Sequence, residues 1–224
     1  MVKLSFSIFL SLIFVSSFAQ IKPKTEDWFF YDYTYDFMLN APKGISQDFI
    51  PNGHTFSFLK EKSFGKGNFA IAGGVDYSVQ SYYSNLYVST DLSNGDEIFQ
   101  VLGSDSIESN KLRTDFIDAI FELRFRTLPN AKGKFFRFYI GAKAGARVSS
   151  SSRLRTQNAI VRFENLGQLN AYRFGAYTRI GYGWFNLYSY HSLSELFTKG
   201  SLINGSNEAV TGITPVSVGI SFIF

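Results

Sequence analysis

The 224-residue chain contains no cysteine. No disulfide can staple it and no thiolate can hold a metal, so packing and pairing alone must stabilise it. It has only two histidines, His54 and His191, and no cluster of ligand-type residues at metal spacing, so no metal or cofactor is expected. Beyond its first fifteen residues it lacks an apolar run approaching the roughly 20 residues that a spanning helix needs. The net charge is only +4 and the basic residues are scattered, which argues against nucleic acid as a partner. Aromatic residues, by contrast, are abundant: 25 Phe and 13 Tyr, in a chain that is 18% aromatic. Mean hydropathy is nonetheless close to zero. Those two properties fit a membrane barrel, in which lipid-facing apolar residues alternate with inward polar ones and cancel in the mean.

Met1-Val2-Lys3 is a short positive start, and Leu4 to Val15 is apolar except for small serines. Ser17-Phe18-Ala19 then supplies small residues for a signal peptidase, so residues 1–19 are expected to be a signal peptide cut before Gln20. The apolar run is too short for a membrane anchor, and Gln20 with no cysteine excludes a lipoprotein anchor. The remaining 205 residues (224 minus 19), from 20 to 224, suffice for one exported domain. Loss of Lys3 leaves that domain at +3.

Period-2 alternation marks eight strand candidates. They run from Asp27 to Ala41, His54 to Glu61, Asn68 to Gln80, Leu112 to Thr127, Phe135 to Val148, Ala171 to Tyr182, Trp184 to His191 and Pro215 to Phe224. On the first, Phe29, Tyr31, Tyr33, Tyr35 and Phe37 share a face opposite Asp32, Thr34 and Asp36. The seventh is aromatic on both faces, which leaves its register open. The last places Val216, Val218, Ile220, Phe222 and Phe224 on one face, expected to meet lipid. This strand is expected to close the barrel against Phe29–Phe37, with Phe222 and Phe224 as the assembly signal for the barrel insertion machinery.

The connections alternate. Links after the second, fourth and sixth strands are short, whereas Pro42 to Gly53, Ser81 to Lys111, Ser149 to Asn170 and Ser192 to Thr214 are long. Periplasmic turns and extracellular loops alternate in this way, and an even strand count puts both chain ends at the periplasmic side. Asn-Gly turn signals at Asn52, Asn94 and Asn204 all fall in long links. A lipocalin-like soluble barrel is the competing architecture. It would bury its apolar face and would not need a terminal aromatic.

Asp32, Asp36, Asp76, Asp118, Glu122, Arg124, Arg137, Lys143, Arg147, Arg173 and Arg179 all project to the polar side of this register. A cation on the lipid side would cost about 2–4 kcal/mol near mid-membrane, so this side is the lumen. An eight-stranded barrel is just wide enough for side chains to fill. Carboxylates of the first, third and fourth strands should therefore pair with cations of the fifth and sixth and plug it.

No catalytic constellation is expected. His191, Ser192, Ser194 and Glu195 imitate a triad, but adjacent strand residues point to opposite faces. Gly65-Lys66-Gly67-Asn68-Phe69-Ala70 imitates a dinucleotide fingerprint but sits in a hairpin turn with no following helix. Asn204-Gly205-Ser206 is a glycosylation sequon by letter only. The long loops differ in charge: Ser81 to Asn110 is acidic, while Ser149 to Asn170 carries Arg153, Arg155 and Arg162 against Glu164. Such loops either neutralise one another or dock a partner protein.

Asp32-x-x-x-Asp36-Phe37 with Ala41-Pro42-x-Gly44-Ile45 resembles the PorT-like outer-membrane β-barrel family of Bacteroidetes. Similar stretches are Phe136-Arg137-Phe138-x-x-Gly141-x-Lys143-x-Gly145, Tyr172-Arg173-Phe174-Gly175 and Arg179-x-Gly181-Tyr182-Gly183. Leu196-Phe197-x-Lys199-Gly200 and Pro215-Val216-Ser217-Val218-Gly219 extend the likeness along the chain. The resemblance implies an eight-stranded outer-membrane barrel of a gliding or type IX-secreting bacterium, some of whose relatives assist assembly of that secretion system. It supplies no catalytic residues. The sequence thus predicts an all-β, eight-stranded antiparallel up-and-down barrel that is non-enzymatic, with outer-membrane lipid and a secretion-system or envelope protein as partners. A lipid-modifying enzyme at the rim and a narrow solute transporter are the rival classes.

Overall fold

The computed structural model describes residues 27–64, 68–91, 93, 97–103, 107–198, 203 and 209–224. The expected signal peptide, Gly65–Gly67 and the Asn94 and Asn204 turns lie outside them. Among the described residues eleven strands run in chain order. They are β1 (Phe29–Leu39), β2 (Gly53–Phe64), β3 (Phe69–Tyr83), β4 (Leu86–Thr90), β5 (Glu97–Val101) and β6 (Ile107–Arg126). There follow β7 (Phe136–Thr156), β8 (Ile160–Glu164), β9 (Tyr172–Tyr182), β10 (Phe185–Ser192) and β11 (Thr214–Ile223).

Eight of these form a closed antiparallel barrel in the order β1, β2, β3, β6, β7, β9, β10, β11, each paired with its neighbours. Closure runs from Phe30 opposite Ile223 to Leu39 opposite Thr214. The alternation that marks each strand also sets its faces. Phe69, Val75, Ile117, Phe121, Leu123, Phe138, Ile140, Phe174 and Ile180 are exposed outside, while Asp76, Asp118, Glu122, Arg124 and Arg179 are buried inside. This inverts a soluble barrel and excludes the lipocalin-like arrangement.

Aromatic rings gather at the short-turn end, where Trp28, Phe29, Phe58 and Phe224 lie together and Trp184 stacks on Phe222 at 5.7 Å. Phe224 donates its backbone N–H to Phe29 across the closing seam at 3.1 Å. Gly183, at φ 68°, makes the two-residue turn between β9 and β10, a backbone state that a side chain would strain.

Three features depart from the sequence reading. The register of the seventh barrel strand is settled: on β10, Phe185 and Leu187 face out, whereas Tyr188 and Tyr190 are buried inside. Val216, expected to meet lipid, is buried near the long-loop end. The long links also carry strands of their own, a β4–β5 hairpin and β8. β7 is 21 residues long; its first half pairs with β9 and its last part with β8, so β6, β7 and β8 continue past the barrel as a ribbon. A β-bulge marks the crossover, where Asp115 pairs with Ser149 but Phe116 pairs with Arg147.

Candidate functional site

The barrel interior is the densest concentration of charge. Asp27, Asp32, Asp36, Glu61, Asp76, Asp118 and Glu122 face Arg124, Arg126, Arg137, Lys143, Arg173 and Arg179 within it, with Arg147 at the upper edge. Taking such ions out of water costs several kcal/mol each unless geometry returns it. Here the geometry is close and multivalent. Arg179 reaches Asp32 at 2.8 Å and also Glu122, binding β9 to β1 and β6 across the lumen. Glu122 in turn accepts from Arg124 Nε at 2.7 Å, and Arg124 reaches Glu61 on β2 at 2.8 Å. Arg126 bonds the same Glu61 carboxylate.

Nearer the long loops, Arg173 grips Asp118 through Nε at 2.9 Å and Nη2 at 2.5 Å, and donates to Gln80 and Ser78. Lys143 sits 3.3 Å from Asp76. At the short-turn end Arg137 donates to Asp27 at 2.8 Å, and the Tyr139 hydroxyl donates to the same carboxylate at 2.5 Å.

Aromatic rings separate these ion groups. Arg179 lies 4.4 Å over Phe30, and Lys143 lies 4.5 Å over Tyr190 with Tyr177 and Tyr188 nearby. Cation–π contact strengthens when water is excluded, so the rings fill space and stabilise the cations together. Glycine makes room for them: a Cβ on Gly141 would lie 2.4 Å from Tyr177 Cζ. The charged side chains of this layer, among the described residues, are buried from end to end of the lumen.

Two expected members of the network form no ion pair among the described residues. Asp36 accepts from the Ser81 N–H at 2.8 Å and the Thr34 hydroxyl at 2.9 Å. Arg147 donates to the Ser150 hydroxyl and the Leu169 carbonyl. Asp36 pairs in register with Ser217, and Arg147 sits at the bulge, so each meets polar neighbours rather than an opposite charge. Arg126 shares the inward face of Glu122 and Arg124 that alternation predicts, whereas Glu61 and Asp27 are further members of the network. Glu61 continues the inward parity of Ser57 and Leu59, a signal present in the sequence. Asp27 precedes β1, and alternation along that strand did not place it inside.

Above the lumen the long loops build a second core that composition did not announce. Met38, Tyr82, Leu86, Val88, Phe99, Leu112, Leu166, Leu169, Leu196, Phe197, Ile203, Val210 and Ile213 pack together, with Ala41, Ile45 and Phe163 against them. All four long links contribute. Hydrogen bonds fix their backbones: Gln47 pairs with both Met38 backbone groups, and Asn85 links Ser46 and Gly44. Asn170 donates to the carbonyls of Glu195 and Phe197. Glu97 ties the acidic loop to the basic one by accepting from the backbone of Gly167 and Gln168, and Glu108 meets Arg155 at 2.6 Å. Between core and lumen a cavity of about 10 Å³ is lined by Gln80, Asn170, Arg173, Ser192 and Ser194, the volume of about one water.

The triad-like residues do not converge. Ser192 is buried and donates to the Ser194 carbonyl, whereas His191 is exposed on the opposite face of β10.

A closed eight-stranded barrel with an apolar exterior, aromatic girdle and charged, filled interior defines the class of outer-membrane β-barrels. Residues 16–198 match the family described as outer membrane protein beta-barrel domain, and the chain belongs to that family. β11, which closes the barrel, lies beyond the matched stretch. Searches of the curated proteins and of solved structures found no significant match.

Proposed function

We propose that this chain is a non-enzymatic barrel of the bacterial outer membrane, of the PorT-like kind, that serves type IX secretion as a structural and assembly component. Residues 1–19 direct export and are removed, the short turns face the periplasm, and Phe222 with Phe224 presents the closing strand to the insertion machinery. The observation that carries this reading is the double closure, a lumen filled by ion pairs beneath a cap of loop-borne apolar side chains. A molecule so filled offers its outer wall and loops for function, surfaces suited to lipid and protein partners. Crosslinking from cysteines introduced into the long loops, in intact cells, should capture one dominant envelope protein, and deletion of the gene should impair export of type IX cargo. Unimpaired export, or lipid turnover that Ser192→Ala or His191→Ala abolishes, would contradict it.

A further inference from the structure

We propose that the outer face of the β6–β7–β8 ribbon binds a phosphate-bearing lipid headgroup. Three cations stand in one lateral row there: Lys111 is opposite Arg153, and Arg153 is opposite Arg162. Like charges directly opposite one another on neighbouring strands are destabilising, so the row is costly without an anion. The nearby carboxylates are engaged elsewhere. Asp115 is held by Arg113 through two bonds of 2.7 Å and by the Tyr77 hydroxyl, and Glu108 is held by Arg155. Only Arg162 has a carboxylate, Glu164 at 3.0 Å, and both are more than half exposed. Among the described residues no carboxylate lies within ion-pair distance of Lys111 or Arg153.

The site's position selects the ligand. Alternation on β6 puts Lys111, Arg113 and Asp115 on the same outer face as Ile117 and Phe121. Lys111 is six residues beyond Ile117, about 15 Å along the membrane normal for a tilted strand. Long cationic side chains reach back toward the interface from there. Exposed Ile160, two residues before Arg162 on β8, borders the row at one end, and Tyr83 closes its other end beneath the Lys111 ammonium at 5.7 Å. Cations bordered by apolar side chains fit a headgroup that carries both phosphate and acyl chains better than a free anion.

The inference rests on the outer-membrane location proposed above. The full chain, refolded in detergent micelles, would be titrated with lipid A and with its dephosphorylated form and bound lipid counted by native mass spectrometry. Preference for the phosphorylated form is expected. Lys111→Gln/Arg153→Gln/Arg162→Gln should bind roughly 100-fold more weakly, at about 1 kcal/mol per cation, while keeping the barrel's heat-modifiable gel shift. Lys111→Arg should bind as the parent does. Equal binding of the two lipids, a loss under twofold in the triple variant, competition by orthophosphate at lipid concentrations, or preference for an acidic peptide would each overturn it. A parent chain that prefers the phosphorylated lipid but fractionates outside the outer membrane would instead count against the location.

Discussion

Inside the barrel Asp32, Glu122, Arg124 and Arg179 form one linked group of buried charges, whereas toward the long loops Leu86, Val88, Phe99, Phe197 and Ile213 pack with no charge among them. Both regions bury their side chains across the same passage. They differ in what a single change does. An ion network depends on every member, because removing one partner strands another charge in low dielectric. An apolar core loses contacts in proportion to what is removed, and neighbours can settle into the gap. The covalent setting differs too. Lumen side chains project from hydrogen-bonded strands that share one closed sheet, while most cap side chains come from separate loops tied by a few amide bonds and meet only Met38, Tyr82 and Leu112 from the barrel strands. The lumen should therefore be brittle and the cap locally adaptable.

The largest expected effect is in the lumen. Arg179→Met leaves Asp32 and Glu122 without their shared cation and should cost about 3–5 kcal/mol, read as a lower urea midpoint of the barrel refolded in micelles. Adding Asp32→Asn, while Glu122 keeps its bond from Arg124, should recover most of that loss. A mild single variant, or no recovery in the double, would erase the contrast between the regions. In the cap, Phe197→Ala removes a fully buried ring and should cost about 3 kcal/mol, confined to the loops. Amides of the long loops should exchange faster while those of the barrel keep their protection.

Gly141→Ala tests the lumen without touching a charge. Its Cβ would crowd the Tyr177 ring, costing about 2 kcal/mol as overpacking, and Tyr177→Leu should restore part of the loss. Asn85→Ala removes the ties from Asn85 to Ser46 and Gly44 and should cost about 1 kcal/mol, seen as quicker proteolysis between residues 40 and 52. Smallest of all, Arg155→Gln breaks an exposed pair with Glu108. The change should stay below about 0.5 kcal/mol and vanish in high salt.

The difference between the regions also accounts for what could be read from the chain. Lumen residues sit on long strands, where strict alternation assigns each side chain a face; Asp76, Asp118 and Glu122 were legible because Val75, Ile117 and Phe121 flank them. Partner choice was not legible, since Arg179 meets Asp32 only through the curvature of a closed sheet, and Asp36 ends among hydroxyl and amide donors instead. The cap was hidden for a different reason. Leu166 and Leu169, and the adjacent Leu196 and Phe197, stand among charged and polar loop residues without strand alternation, so only the meeting of four loops makes them a core. The seventh barrel strand was ambiguous because Tyr188 and Tyr190 fill the lumen while Phe185 and Leu187 face lipid, and hydrophobicity alone does not separate those two destinations.

Conductance in a planar bilayer tests the double closure most directly. The refolded chain should insert and give no discrete current steps, because Arg173, Arg179 and their carboxylates fill the lumen beneath the apolar cap. Stable, reproducible channel steps from the intact protein would contradict that account.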